Sequence, residues 1–197
     1  MTYIMKPKAL INLPQWIPVV WLAATLSIGS LVVELVMEKE WGTYLSVFGT
    51  FAEIILWDAI IRSLRKKENC KTSLIVMLAI SFSLQLVSSI FSAGEVLSFI
   101  SLVSWLIAMI IIIKNYSGAL QNYAIAELVC LGLLLIGLIV FAVVVAIQDS
   151  SNLQTSLRLT MCILIFLLCY PYKMLAEALK ENDAEEKKNE VEEKIEE

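Results

Sequence analysis

The chain has 197 residues, 59% of them hydrophobic and only 17% charged, with a mean hydropathy of +0.79 and a net charge of -4. A soluble domain sits nearer half apolar and a quarter charged, so this is the composition of an integral membrane protein. Histidine is absent, which excludes histidine-ligated haem, histidine-dependent zinc sites and Ser-His-Asp catalysis.

A helix needs about 20 mostly apolar residues to cross a bilayer core of about 30 Å. Six runs satisfy this in chain order: Trp16 to Met37, Thr43 to Ile61, Thr72 to Phe91, Val96 to Ile113, Tyr123 to Ile147 and Leu159 to Leu175. The second contains Glu53 and Asp58, and the fifth contains Glu127 near its start. The third and fourth are uncharged, and the sixth is the weakest, with Lys173 near its end. Pro171 is expected to kink or end the sixth helix near the membrane surface. The runs are too long and too continuously apolar for barrel strands, and helices alone satisfy their own backbone bonds in lipid. The predicted fold is therefore all-α: a polytopic membrane bundle of six transmembrane helices, occupying residues 1–176.

The charges are segregated. Under a six-helix model 13 of the 15 basic residues fall on one side, chiefly Lys6, Lys8, the Arg62 to Lys71 loop, Lys114 and the C-terminal lysines, leaving Lys39 and Arg158 on the other. The positive-inside rule then predicts that both termini are cytoplasmic. An odd helix number would place basic segments on both faces. Residues 177–197 hold ten acidic residues and four lysines, a local net of -6. This segment is expected to be a largely disordered cytoplasmic tail, since it has almost nothing apolar to bury. Its sign argues against nucleic acid; the expected surroundings are membrane lipids, with a homo-oligomer or a membrane partner subunit as possible company. The four cysteines, Cys70, Cys130, Cys162 and Cys169, form no CxxC pair and read as small hydrophobes.

Glu53 is the first candidate for function. It lies near the middle of the second helix, where a carboxylate is costly unless it faces water, a cation or a polar partner. Ser46, Gly49, Glu53 and Trp57 share one helical face, with Thr50 beside them. Asp58 precedes Arg62 by four residues, the spacing of an ordinary helical ion pair. Glu127 is the second candidate, expected about one turn inside the membrane. Its setting, Ile125-Ala126-Glu127-Leu128-Val129, echoes Phe51-Ala52-Glu53-Ile54-Ile55. Each glutamate lies in the middle helix of a three-helix half, an order that inverts one half relative to the other, as in many transporters. On the third helix Ser81, Gln85, Ser88 and Ser92 recur at helical spacing, with Ser89 alongside. Ser98 and Ser101, with Trp105, offer a similar stripe on the fourth. Such stripes serve either close helix packing or the wall of a polar cavity. Gln85 and Glu127 are the expected hydrogen-bond partners of Glu53, followed by the serines of helix four.

No glycine-rich phosphate loop and no TVGYG-like filter is present. The sequence thus predicts a non-enzymatic protein without a cofactor or metal in a bacterial-type plasma membrane. The expected function is transport of a small solute or ion, alone or as a transporter subunit. Glu53, Glu127, Gln85, Ser81 and Ser88 would line the path. Two rivals are a non-transporting accessory, assembly or immunity-type membrane protein, in which Glu53 makes a structural hydrogen bond, and a small oligomeric channel.

Overall fold

The computed structural model of the protein describes residues 13–36, 39–64, 68–91, 94–147 and 151–180. Lys6, Lys8, Arg65, Lys66, Lys67, Ser92 and the acidic tail from residue 181 lie outside the described residues. Among the described residues a 3₁₀ turn at Pro14–Trp16 leads into seven helices: α1 Ile17–Val36, α2 Lys39–Ser63, α3 Glu68–Phe91, α4 Gly94–Asn115, α5 Ala119–Ile147, α6 Ser151–Phe166 and α7 Cys169–Ala178. Together they supply six segments long and apolar enough to cross a membrane. The protein is a polytopic membrane helix bundle. Several helices run past the apolar segments by a turn or more, because the backbone keeps its hydrogen-bond ladder into the headgroup region.

The sixth segment departs from expectation. It is two helices, α6 and α7, with the break at Leu167 and Leu168. Pro171 lies in the first turn of α7, where its missing N–H has no partner to lose. Its ring instead disrupts the ladder four residues upstream. The Leu167 carbonyl is freed, and accepts from the Tyr170 amide at 3.0 Å and from the Cys130 thiol at 3.6 Å. Pro171 thus neither ends the segment nor sits at its kink; the chain resumes as α7, and its core reaches Leu179, which is fully buried.

Consecutive helices pack side by side, and α6 and α7 return to α1, closing a ring. The tightest seam joins α1 and α2. A Cβ at Gly49 would stand 2.9 Å from Ser27 Oγ and 3.2 Å from its backbone nitrogen, so only glycine permits this approach. The turn from α4 to α5 is closed by Gly118 at φ 88°, in the left-handed region that favours glycine. The Asp58–Arg62 ion pair forms as expected, 2.8 Å long and exposed.

The ring is filled unequally. Toward the α2–α3 and α4–α5 connections an apolar core includes Leu56, Ile60, Leu74, Leu78, Met109, Ile112 and Leu175. The Leu13 amide donates to the Leu179 carbonyl at 3.2 Å and ties the chain entering α1 to the end of α7 at this end. A smaller cluster around Ala24, Ile28, Leu134 and Ile165 fills the space between α1, α5 and α6. Outside the ring, large side chains such as Phe48, Phe51 and Ile55 of α2 and Ile136, Ile139 and Val140 of α5 are exposed. They form the apolar surface that acyl chains cover.

Candidate functional site

The half of the ring that the apolar core leaves unfilled holds a cavity of about 570 Å³. It extends from mid-bundle toward the α1–α2 and α3–α4 connections. All five residues singled out from the sequence, Glu53, Glu127, Gln85, Ser81 and Ser88, line it.

The two glutamates share its floor. Glu53 lies ten residues before Ser63 and Glu127 eight residues after Ala119. At ~1.5 Å per residue these are depths of roughly 15 Å and roughly 12 Å from the same end of the ring. Glu127 is therefore two turns inside its helix, deeper than the one turn expected, because α5 starts at Ala119 rather than Tyr123. It is 9% exposed. Both side chains line the same cavity.

Their hydrogen bonds differ from the expected ones. Glu53 Oε1 accepts from the Ser27 hydroxyl at 2.8 Å and from the Tyr172 hydroxyl at 2.5 Å. Gln85 and Glu127 do not supply these bonds. Gln85 makes no hydrogen bond among the described residues, and Glu127 Oε1 accepts from the Trp105 indole N–H at 3.3 Å. The reason is the ring itself. Once α1 and α7 close against each other beside α2, they present hydroxyls to Glu53 before any group from α3 or α5 can reach it. Ser27 and Tyr172 are the residues that sequence reasoning missed. The glycine at 49, one turn before Glu53, was the available sign that a neighbouring helix comes close here.

Beneath the carboxylates the ring is blocked by aromatic side chains. Trp57 packs edge-on to Trp105 at 5.7 Å and tilted against Tyr123 at 6.0 Å, and Phe82 packs edge-on to Trp105 at 5.7 Å. Trp57 and Tyr123 are each one turn from a glutamate, both toward the α2–α3 end. They belong to the apolar core and close the cavity floor.

The serine stripe serves both of its possible purposes. Ser81 and Ser101 exchange hydrogen bonds with each other's backbone carbonyls, at 3.0 Å and 2.8 Å, and Ser88 and Ser98 share one at 2.6 Å. These pairs clamp α3 to α4. Ser46 reaches Ser89 at 3.4 Å across from α2. The same residues line the cavity, joined near its far end by Glu34 and Thr43.

The sequence echo has a structural counterpart. Phe51 and Ile125 are exposed, Ala52 and Ala126 buried, Ile55 and Val129 exposed, and Leu56 and Cys130 buried. Each glutamate thus occupies the same position in the same inward-facing pattern, on helices one half-chain apart.

Chemically, the floor offers two carboxylates held by neutral donors, with hydroxyls and an amide above. It suits the binding of a proton or a cation. Among the described residues no three metal-ligating side chains converge. Tyr172→Phe keeps the ring and removes only the donor to Glu53. We expect it to cost about 1 kcal/mol of stability in detergent, the scale of an interhelical hydrogen bond in a membrane; thermal unfolding measures it.

No protein-family model matches the chain, and no curated protein or solved structure is significantly similar to it. The functional reading therefore rests on the chemistry of the cavity.

Proposed function

We propose that the protein is a small secondary transporter, or the membrane subunit of one, in a bacterial-type plasma membrane, moving a small solute or ion with Glu53 as the coupling carboxylate. The observation that carries this reading is the cavity: two mid-membrane glutamates form its floor, polar groups line one side, and aromatic and apolar packing closes the other. One-sided access to a charged mid-membrane site is the arrangement that alternating access requires. The paired settings of Glu53 and Glu127 supply two halves to rock against each other. Ser27 and Tyr172 hold Glu53 in place, and Glu127 shares its proton or cation load. Gln85, Ser81 and Ser88 line the path. The role is non-enzymatic.

The basic residues set the orientation. With 13 of 15 on one side, both termini are cytoplasmic and the cavity extends toward the outer face. Single cysteines placed near Glu40, Glu95 and Ser151 in a cysteine-free background should react with an impermeant maleimide in intact cells. Labelling at Lys66 or Tyr116 instead reverses the assignment.

The hydrogen-bonded state of Glu53 favours one rival, a non-transporting accessory protein in which Glu53 clasps α1, α2 and α7 together. Proteoliposomes carrying an internal pH indicator separate the two. The transporter moves protons, or a labelled solute in counterflow, when offered substrate. Silence toward cationic, neutral and anionic solute classes alike leaves the accessory reading.

A further inference from the structure

We infer that the cavity takes a small organic cation: an ammonium head at the Glu53–Glu127 floor, with a hydroxylated arm lying along the serine wall. The inference rests on the transport reading and narrows its substrate.

Charge comes first. Glu53 and Glu127 line the cavity, and no lysine or arginine does so among the described residues. Arg62 and Lys173 are engaged elsewhere, in exposed ion pairs with Asp58 and Glu177. The hydrogen-bond donors to the two floor carboxyl groups, the Ser27 and Tyr172 hydroxyls and the Trp105 indole, are all neutral. They orient the carboxyl groups without balancing their charge. In a site removed from bulk water that balance comes from a proton or a bound cation. A substrate that carries the positive charge exchanges with the proton; an anion meets uncompensated repulsion.

Size separates an organic cation from a metal ion. A volume of about 570 Å³ lies within the ~300–1,000 Å³ typical of small-molecule pockets. A tightly held divalent metal ion usually draws on several carboxylates, and among the described residues no three His, Cys, Asp or Glu side chains converge. Trp105 and Tyr172 line the floor beside the carboxylates. Aromatic rings next to carboxylates favour an alkylammonium, whose charge is diffuse and weakly hydrated. Above them, Gln85 has its amide uncommitted. An amide with free donors and acceptors beside a row of hydroxyls matches a hydroxyl on the ligand.

Choline and ethanolamine test this, each against its neutral carbon isostere, 3,3-dimethylbutan-1-ol and propan-1-ol. Binding to the purified full chain in detergent is measured by equilibrium dialysis. At least one ammonium compound should bind saturably at millimolar concentration or below, at least about tenfold more tightly than its isostere. Glu127→Gln should weaken that binding by a further factor of about ten while the melting temperature holds. Equal binding of the neutral isosteres, or no binding of either ammonium compound, overturns the inference whether or not the variant folds. The transport reading fails separately. Ammonium binding in detergent with no flux in vesicles keeps the ligand class and removes the transporter. Flux of a neutral or anionic solute without ammonium binding does the reverse.

Discussion

Replacing Glu53 by glutamine should reduce substrate-dependent proton movement to the level of protein-free vesicles while leaving the bundle intact. The amide oxygen of glutamine accepts from Ser27 and Tyr172 as Glu53 Oε1 does, at the observed 2.8 Å and 2.5 Å. The seam between α1, α2 and α7 therefore survives, and the stability change should stay below about 1 kcal/mol. What disappears is the ability to take up a proton or pair with a cation, which no other atom at that position supplies. Glu53→Asp keeps the charge but withdraws it by one methylene, so activity should fall without vanishing. Glu53→Leu removes the acceptor as well, leaving two hydroxyls unpaired at the floor. It should lose both activity and about 1–2 kcal/mol of stability. Full activity in the glutamine variant would show that Glu53 is only a clasp.

The second large effect belongs to a residue with no side chain. Gly49→Leu should destabilise the protein by about 1–3 kcal/mol through overpacking, and should also disable the site. The new Cβ alone stands 2.9 Å from Ser27 Oγ, 3.2 Å from the Ser27 nitrogen and 3.3 Å from Leu26 Cβ. Two of these neighbours are backbone or backbone-proximal and cannot swing aside. Relief requires α1 to move off α2, which carries Ser27 away from Glu53. Gly132, whose Cβ would meet nothing within 4 Å, is the matched control. Gly132→Leu on the same fold should cost little. Thermal unfolding and vesicle flux, read side by side, check both.

The extent to which this architecture is legible in the sequence follows the dimensionality of each feature. A membrane span is a one-dimensional property, so the six apolar runs coincide with the six observed segments to within a few residues. A glutamate in an apolar run is equally conspicuous, and the i, i+4, i+7 recurrence of Ser81, Gln85 and Ser88 marks a helix face without knowledge of its neighbours. Partnership is different. Ser27 and Tyr172 lie 26 and 119 positions from Glu53. Nothing in their local sequence indicates that the ring closes α1 against α7. The break in the last segment is legible in kind but not in place: Pro171 foretells a kink, yet it acts on the carbonyl of Leu167, so the break falls upstream of the proline.

The closing bond between Leu13 and Leu179 has a consequence for biosynthesis. Among the described helices α1 leaves the ribosome before the others and α7 after them. α1 and α2 can insert as a glycine-seamed hairpin early, and α3 and α4 can zip along their serines. Glu53 meanwhile stays without its tyrosine in the bilayer until Tyr172 arrives. The last segment is also the least hydrophobic at its end, carrying Lys173 and Glu177, and is broken at its centre. It is poorly equipped to enter lipid alone and well suited to enter against an existing bundle. Until α7 packs, Glu53 has the Ser27 hydroxyl of α1 as a donor but not that of Tyr172, so its clasp is completed only when the described bundle closes.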